Sequence, residues 1–387
     1  MTKRNILLTP GPTPVPPRVL EILSRPVFHH RTPQYREIFA RVSEGLKYVF
    51  QTKNDVYTFT SSGTGAMEAS VVNFLSPGDT MIAAHAGKFG ERWVGIGKSY
   101  TINVVEVKAS YGESIRPEQI QKALRENPQA KAVCITHCET STGVTNDVKT
   151  IAGVVSKTQA ILIVDAISSL AADELLQDAW GVDVVVSGSQ KALMLPPGLG
   201  FMSVSQKAHE LNKTAKCPRF YYDLKLYQKA LLDSDTPFTP ALTLVIALEE
   251  SLKIIKTKTF QGHLQETAKL AEATRAAVQA IGLELFARER HSNVLTAVKV
   301  PSGVDGEKLV NTMRDKKGVT LAGGQGEMKG KIFRIAHMGY ITEEDLLTGL
   351  DILCETLNEF GFTCSAKGAI SKFKQTLSQT RLERVTR

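Results

Sequence analysis

The sequence predicts an α/β protein in which a large domain built on a mostly parallel sheet is followed by a smaller α+β domain. Three observations carry that expectation. From Asp55 onward, short β-branched runs alternate with amphipathic stretches, the βαβ signature of a parallel sheet covered on both faces. After about residue 255 the rhythm changes to longer helical patterns separated by few strands. The length of 387 residues, at about 150 per domain, gives room for two or three domains.

The elements follow in order. Residues 1–20 form an N-terminal arm, because Thr9-Pro-Gly-Pro-Thr-Pro-Val-Pro-Pro17 is too proline-rich for helix or central strand; arms of this kind often cross onto another subunit. The large domain spans 21–255. Its strand-like runs are Val56 to Thr60, Thr80 to Ala84, Asn103 to Val107, Ala132 to Thr136, Ile161 to Val164 and Asp183 to Val186, with helical stretches such as Pro117 to Glu126 and Lys149 to Thr158 between them. The small domain spans 256–364. It reads as a helix over Leu264 to Ile281, a strand over Asn293 to Val300, a helix over Asp305 to Arg314, short strands near Val319 and over Ile332 to Ala336, and a helix over Glu343 to Phe360. The tail, 365–387, carries only sparse Ile, Phe and Leu, and is either frayed and disordered or a weak amphipathic helix.

Composition removes several classes of function. Apolar residues make up 42% and charged residues 22%, ordinary globular usage that excludes collagen, coiled coil and wholesale disorder. No apolar run reaches the ~18 residues of a membrane span. The net charge of +8 could attract nucleic acid, but six basic residues and one acidic residue in the tail account for +5 of it. The body is left without the basic face a nucleic-acid groove needs, so neither nucleic acid nor membrane is an expected partner. The apolar start breaks at Pro10 before a signal peptide could form, and the end is not a peroxisomal Ser-Lys-Leu, so a cytoplasmic protein is expected. Cysteines 134, 138, 217, 354 and 364 are odd in number and form no Cys-x-x-Cys pair, which argues against a disulfide framework or a zinc ribbon.

Five sites could carry chemistry. Ser61-Ser-Gly63-Thr64-Gly65 lies at a strand-to-helix turn, where free N–H groups suit a phosphate; an ordinary turn with a helix cap reads equally well. Asp165 ends the run Ile161-Leu-Ile-Val, facing the crevice at the carboxyl ends of parallel strands, or else caps a helix. Lys191 follows Val184-Val-Val-Ser-Gly-Ser-Gln, where burial would disfavour its ammonium form and make the amine nucleophilic, although most lysines only snorkel to solvent. Thr136-His-Cys-Glu-Thr140-Ser-Thr-Gly143 brings hydroxyls to another strand end; His137 and Cys138 point to opposite faces there and lack a closing pair, so no metal is expected. Arg334 sits in the apolar strand Ile332 to Ala336, where it either pairs with a carboxylate of the protein or forks onto an anion.

Taken together these residues resemble the class V aminotransferases, pyridoxal-phosphate enzymes of fold type I, and most closely the alanine:glyoxylate or serine:pyruvate group. The resemblance covers roughly residues 5 to 360 and is most specific at Thr9-Pro-Gly-Pro12, Ser62-Gly-Thr-Gly65, Thr136 to Gly143, Val164-Asp-Ala-Ile-Ser-Ser-Leu170 and Ser187-Gly-Ser-Gln-Lys191. It implies that Lys191 is the Schiff-base lysine and proton shuttle, that Asp165 pairs with the pyridinium nitrogen and that Ile167 packs on one ring face. Phe89 stands where relatives often place a stacking tryptophan, with a plain core aromatic as the other reading. Gly63, Thr64 and Gln190 hold the phosphate with Ser62 supporting the turn, and Thr140 lies near the phenolic oxygen. Thr236-Pro-Phe-Thr239-Pro matches the loop that completes the partner subunit's phosphate site in a homodimer; relatives of the mammalian type carry tyrosine at the position of Thr236, which leaves Thr239 as the implied contact. Arg334 binds the amino-acid carboxylate under the Gly11 arm.

The implied reaction is a two-stage exchange of an amine between a small amino acid, alanine or serine, and a 2-oxo acid, glyoxylate or pyruvate. A lyase or desulfurase of the same fold, and a redox subunit of a soluble hydrogenase, are the alternatives. The first needs a thiol on a mobile loop, and the second needs clustered cysteines.

Overall fold

The computed structural model describes the backbone of residues 5–382 and the side chains of 5–379; residues 1–4 of the arm and 383–387 of the tail lie outside the described residues. Its centre is a seven-stranded sheet in the order Val56–Thr60, Leu199–Val204, Val184–Gly188, Ile161–Asp165, Ala132–Thr136, Thr80–His85, Asn103–Lys108. All neighbours are parallel except Leu199–Val204, which runs antiparallel to both strands beside it.

The strand residues are apolar without alternation because both faces are covered. Ile161 and Ile163 join the core under the helices Gly63–Phe74 and Glu91–Ser99, with Met67, Val71, Phe74 and Trp93. Leu162 and Val164 point to the other face, into the core formed with Pro33–Phe50, Val148–Val155 and Leu242–Lys256. The antiparallel strand was not expected from sequence. Its Gly200 lies against the Ser62 carbonyl, which a Cβ would meet at 2.7 Å, so a residue of low strand propensity is required where the strand passes the Ser62 turn.

The C-terminal part holds the antiparallel strands Leu295–Lys299, Ile332–Ala336 and Ala322–Gly323, with the helices Phe260–Ala280, Gly306–Lys317 and Glu343–Glu359. Two expectations change here. The arm begins by pairing with its own chain: Ile6 and Leu7 run parallel to Val319 and Thr320, and Leu8 is buried. It ends earlier than residue 20, because a helix starts at Pro17, a residue suited to a first helical turn. The tail is not frayed over its described part, where Ala366–Leu382 is a helix. Ala369, Phe373 and Leu377 recur every four residues and enter one core with Ala273 and Ala277 of Phe260–Ala280. Because Phe373 is fully buried, Phe373→Ala should destabilise the chain by about 3–5 kcal/mol, read as a lower denaturant midpoint. A change under about 0.5 kcal/mol would mean that the tail helix does not dock in solution.

Candidate active site

The parallel strands deliver their loops to one edge of the sheet, and a cavity of about 250 Å³ opens there. Ser62, Gly63, Thr64, Phe89, Arg92, Cys138, Thr140, Asp165, Ile167, Ser168, Gln190 and Lys191 line it. Asp165 closes its strand with a buried carboxylate that accepts from the Ile167 N–H at 2.8 Å and the Thr136 hydroxyl at 3.3 Å. Burial raises this carboxyl to about 6, against the pull of the Ile167 N–H. Lys191 is buried as well and donates from Nζ to the Pro10 carbonyl. Burial lowers its amine to about 8, with Asp165 opposing. The snorkelling alternative for Lys191 is therefore not what this fold builds.

The helix Gly63–Phe74 begins at the cavity wall. Ser62 caps it, its hydroxyl accepting from Gly65 N at 3.3 Å, and the next two residues, Gly63 and Thr64, whose first-turn N–H groups have no partner within the helix, line the cavity. The turn is thus a helix cap that also lines the cavity. A side chain at Gly63 would crowd Ile167, whose Cδ1 a Cβ would meet at 2.6 Å. Phe89 is half-exposed and lines the cavity, which removes the core-aromatic alternative.

Arg334 is buried in mid-strand and forms no ion pair among the described residues. Its Nε and Nη2 donate to the Gly323 carbonyl at 3.1 and 2.7 Å, and Nη1 donates to the Thr140 carbonyl at 2.8 Å. These bonds leave one N–H on each terminal nitrogen, an end-on fork that fits a carboxylate. Arg334 is not among the residues that line the cavity, but Thr140, whose carbonyl it holds, is. Gly11 packs on Lys191, and a Cβ there would lie 2.4 Å from Nζ with φ at +112°. The arm is fixed beside it, Thr13 donating from Oγ1 to the Lys191 carbonyl at 2.8 Å and from its N–H to the Gln190 carbonyl at 3.2 Å. Thr239 is exposed and outside the wall of its own chain's cavity; Thr236 is buried, its hydroxyl donating to the Phe238 carbonyl at 2.8 Å. His137 and Cys138 diverge, the first to Ser169 and the second to Ser292.

A lysine of lowered basicity, a buried carboxylate, a helix start and a spare arginine fork are the parts the sequence reading brought together. The family model for class-V aminotransferases matches residues 6–346. The chain belongs to this family. The soluble hydrogenase 42 kDa subunit of Anabaena cylindrica is 42% identical over 373 residues, covering 95% of this chain and 97% of that one. Serine–glyoxylate aminotransferase of Arabidopsis thaliana is 35% identical, covering 93% and 92%. L-aspartate–glyoxylate aminotransferase of Paracoccus denitrificans is 32% identical, covering 98% of each. Among solved structures, pyridoxamine-pyruvate aminotransferase from Mesorhizobium loti superposes with a TM-score of 0.92 at 27% identity, covering 97% and 98%.

The cofactor of this class-V aminotransferase is pyridoxal 5′-phosphate, and the residues present fit it. The buried amide of Gln190 has its oxygen without a partner at the cavity wall, and a half-turn of the amide presents its NH₂ to a phosphate instead. The cavity also holds two cationic side chains, Lys191 and Arg92, against the single carboxylate Asp165, a balance that favours an anion. Arg92 was missed from sequence. It donates from Nη1 to the Thr64 hydroxyl at 2.9 Å and lies 5.3 Å from the centre of the Phe89 ring. Its local signal is weak, because Arg92 lies in the first turn of the helix Glu91–Ser99 while Phe89 sits in the turn before it.

Proposed function

We propose that this aminotransferase moves an amino group from a small neutral amino acid, alanine or serine, to a 2-oxo acid, glyoxylate or pyruvate, in two half-reactions run by the same residues. The observation that carries the reading is the spare Arg334 fork held by Thr140, beside a cavity that contains a lysine of lowered basicity and a buried carboxylate. When bound, pyridoxal phosphate supplies a ring that accepts the electron pair left on the amino acid's Cα.

Arg334 binds the α-carboxylate end-on and so orients the Cα–H bond. Lys191 would take up and give back the Cα proton, in the opposite order in the second half-reaction. Asp165 would hold the proton of the cofactor's ring nitrogen. Phe89 and Ile167 would flank the ring, and Thr140 would lie at its phenolic oxygen. Gly63, Thr64 and Gln190 bind the phosphate with Ser62 supporting the turn, and Arg92 adds positive charge at that end. The Gly11 arm closes over the substrate and excludes water. The chain acts as a cytoplasmic homodimer, in which the exposed Thr239 reaches the partner's phosphate. Among the described residues no helix is long and apolar enough to cross a membrane.

The alternatives draw less support from this chain's own residues. Cys134, Cys138, Cys217 and Cys354 are buried and free, and among the described residues no three of His, Cys, Asp and Glu are grouped to hold a metal. For a desulfurase, Cys138 does line the cavity, but it is buried and its thiol donates to the Ser292 hydroxyl, while the Cys364 thiol donates to the Cys354 carbonyl.

A panel of alanine, serine and aspartate against glyoxylate and pyruvate tests the substrate choice. Alanine or serine should exceed aspartate by about tenfold or more in kcat/KM, since among the cavity's cations Arg92 is already engaged with Thr64. Activity with aspartate alone would overturn the assignment.

A further inference from the structure

We infer that Glu139 is a positioning residue for this reaction: its buried carboxylate ties the loop carrying Phe89 to the turn carrying Thr140, and so holds the ring-facing aromatic and the Arg334 fork in one register. The inference rests on the transamination reading and adds to it a residue that touches neither substrate nor cofactor.

Glu139 is 1% exposed, and among the described residues no lysine, arginine or histidine forms an ion pair with it. Its charge is met by N–H and O–H groups instead. One oxygen accepts from Phe89 N at 3.1 Å and Gly90 N at 2.9 Å; the other accepts from Ser141 N at 3.1 Å and the Ser141 hydroxyl at 2.5 Å. Ser141 Oγ in turn accepts from Lys88 N at 3.0 Å, so the two loops are stitched twice. The approach is close enough to exclude any side chain at Gly87, where a Cβ would lie 2.5 Å from both Glu139 Cγ and Ser141 Oγ.

What these bonds hold is the site. Glu139 pairs with Val144 at the base of a hairpin whose tip, Thr140–Gly143, is closed by Gly143 N donating to the Glu139 carbonyl at 2.9 Å. Thr140 at that tip lines the cavity, and its carbonyl fixes Arg334 Nη1 from the small domain. The other side of the stitch ends on the backbone of Phe89 itself. Glu139 also supports the charge of Arg334, whose guanidinium burial draws down to about 10. A carboxylate suits this place because its two oxygens accept four bonds at once, whereas a glutamine offers one acceptor and turns its NH₂ against donors.

The test compares wild type, Glu139→Gln and Ser141→Ala in the full-length protein. Three quantities are read: the donor dissociation constant and the saturating rate, from single-turnover colour changes with alanine, and the cofactor dissociation constant, from titration of cofactor-free protein. Glu139→Gln should raise both dissociation constants by about tenfold and change the saturating rate by less than about threefold, because Lys191 and Asp165 are untouched. Ser141→Ala, which keeps the carboxylate and removes one stitch, should raise the donor constant by about threefold. A purely structural role would lower the melting temperature and leave both constants of the folded protein within twofold of wild type; that result overturns the inference. If Glu139→Gln cannot be purified folded, Ser141→Ala decides alone by the same criterion. Absence of any donor-dependent colour change in the wild type would overturn the transamination reading itself, and this inference with it.

Discussion

Lys191→Ala is expected to abolish transamination, with a loss on the order of 10⁴-fold, while the protein still binds its cofactor noncovalently. The amine is the one basic group in the cavity wall whose own basicity burial has lowered toward neutral pH. Gly63, Thr64 and Gln190, the residues proposed to hold the phosphate, line the same cavity and are unchanged by the substitution. Borohydride reduction should fix the cofactor covalently on Lys191 in the wild type and on no residue in the variant. Attachment to another lysine would sink the assignment. The same lysine sets the pH course of cofactor loading. Only the neutral amine is a nucleophile, and with the group near 8 its neutral fraction grows as pH rises through 8; covalent loading should therefore accelerate over that range. A loading rate that stays flat between pH 7 and 9 would contradict the lowered basicity.

Asp165→Asn is expected to split activity from stability. Transamination should fall by on the order of 10²- to 10³-fold, because an amide cannot hold the ring nitrogen's proton. The cofactor-free protein should become more stable at neutral pH. The folded value of about 6 lies above the ordinary 3.8, so the folded state holds its proton more tightly. The associated stability is present below pH 3.8 and is lost as pH rises through 6, amounting to about 3 kcal/mol at pH 7. Asparagine removes that penalty and can still accept from the Ile167 N–H. Its advantage in melting temperature should be largest above pH 7 and vanish toward pH 4. Equal stability of the two cofactor-free proteins at pH 7.5 would mean that the carboxylate is already paired without the cofactor. The wild-type chain thus carries a buried charge that its fold alone leaves destabilised, a cost typical of functional sites.

Much of the site was legible because its residues end strands. Asp165 and Lys191 follow β-branched runs, and a parallel sheet sends all such ends to one edge, so residues far apart in sequence could be assigned to one crevice without knowing the strand order. The Gly63 turn was legible for the same reason. Arg334 was recognisable as an outlier in an apolar strand, but its partner was not; only the fold shows that backbone carbonyls rather than a carboxylate hold it, which is what leaves its fork spare. Arg92 and Glu139 were passed over because neither stands out locally. One begins a surface helix, and the other sits in a hairpin among hydroxyl residues.

The sequence by itself determined the alternation of elements and the apolar strands of the parallel sheet, and it placed Lys191 at the end of one of them. Hydrophobic periodicity and turn residues are local signals, and these features depend on little else. Tertiary structure alone decided the rest. The antiparallel strand Leu199–Val204 is set by Gly200 passing the Ser62 turn; the arm pairs with Val319–Thr320 before crossing to Lys191; the tail helix docks through Phe373; and Arg334 meets Thr140 across 194 positions of chain. Each of these contacts joins segments far apart in the chain, through a close backbone approach at Gly200, strand pairing at Ile6 and Leu7, apolar packing at Phe373 and a side-chain to carbonyl bond at Arg334, so no local signal announces it.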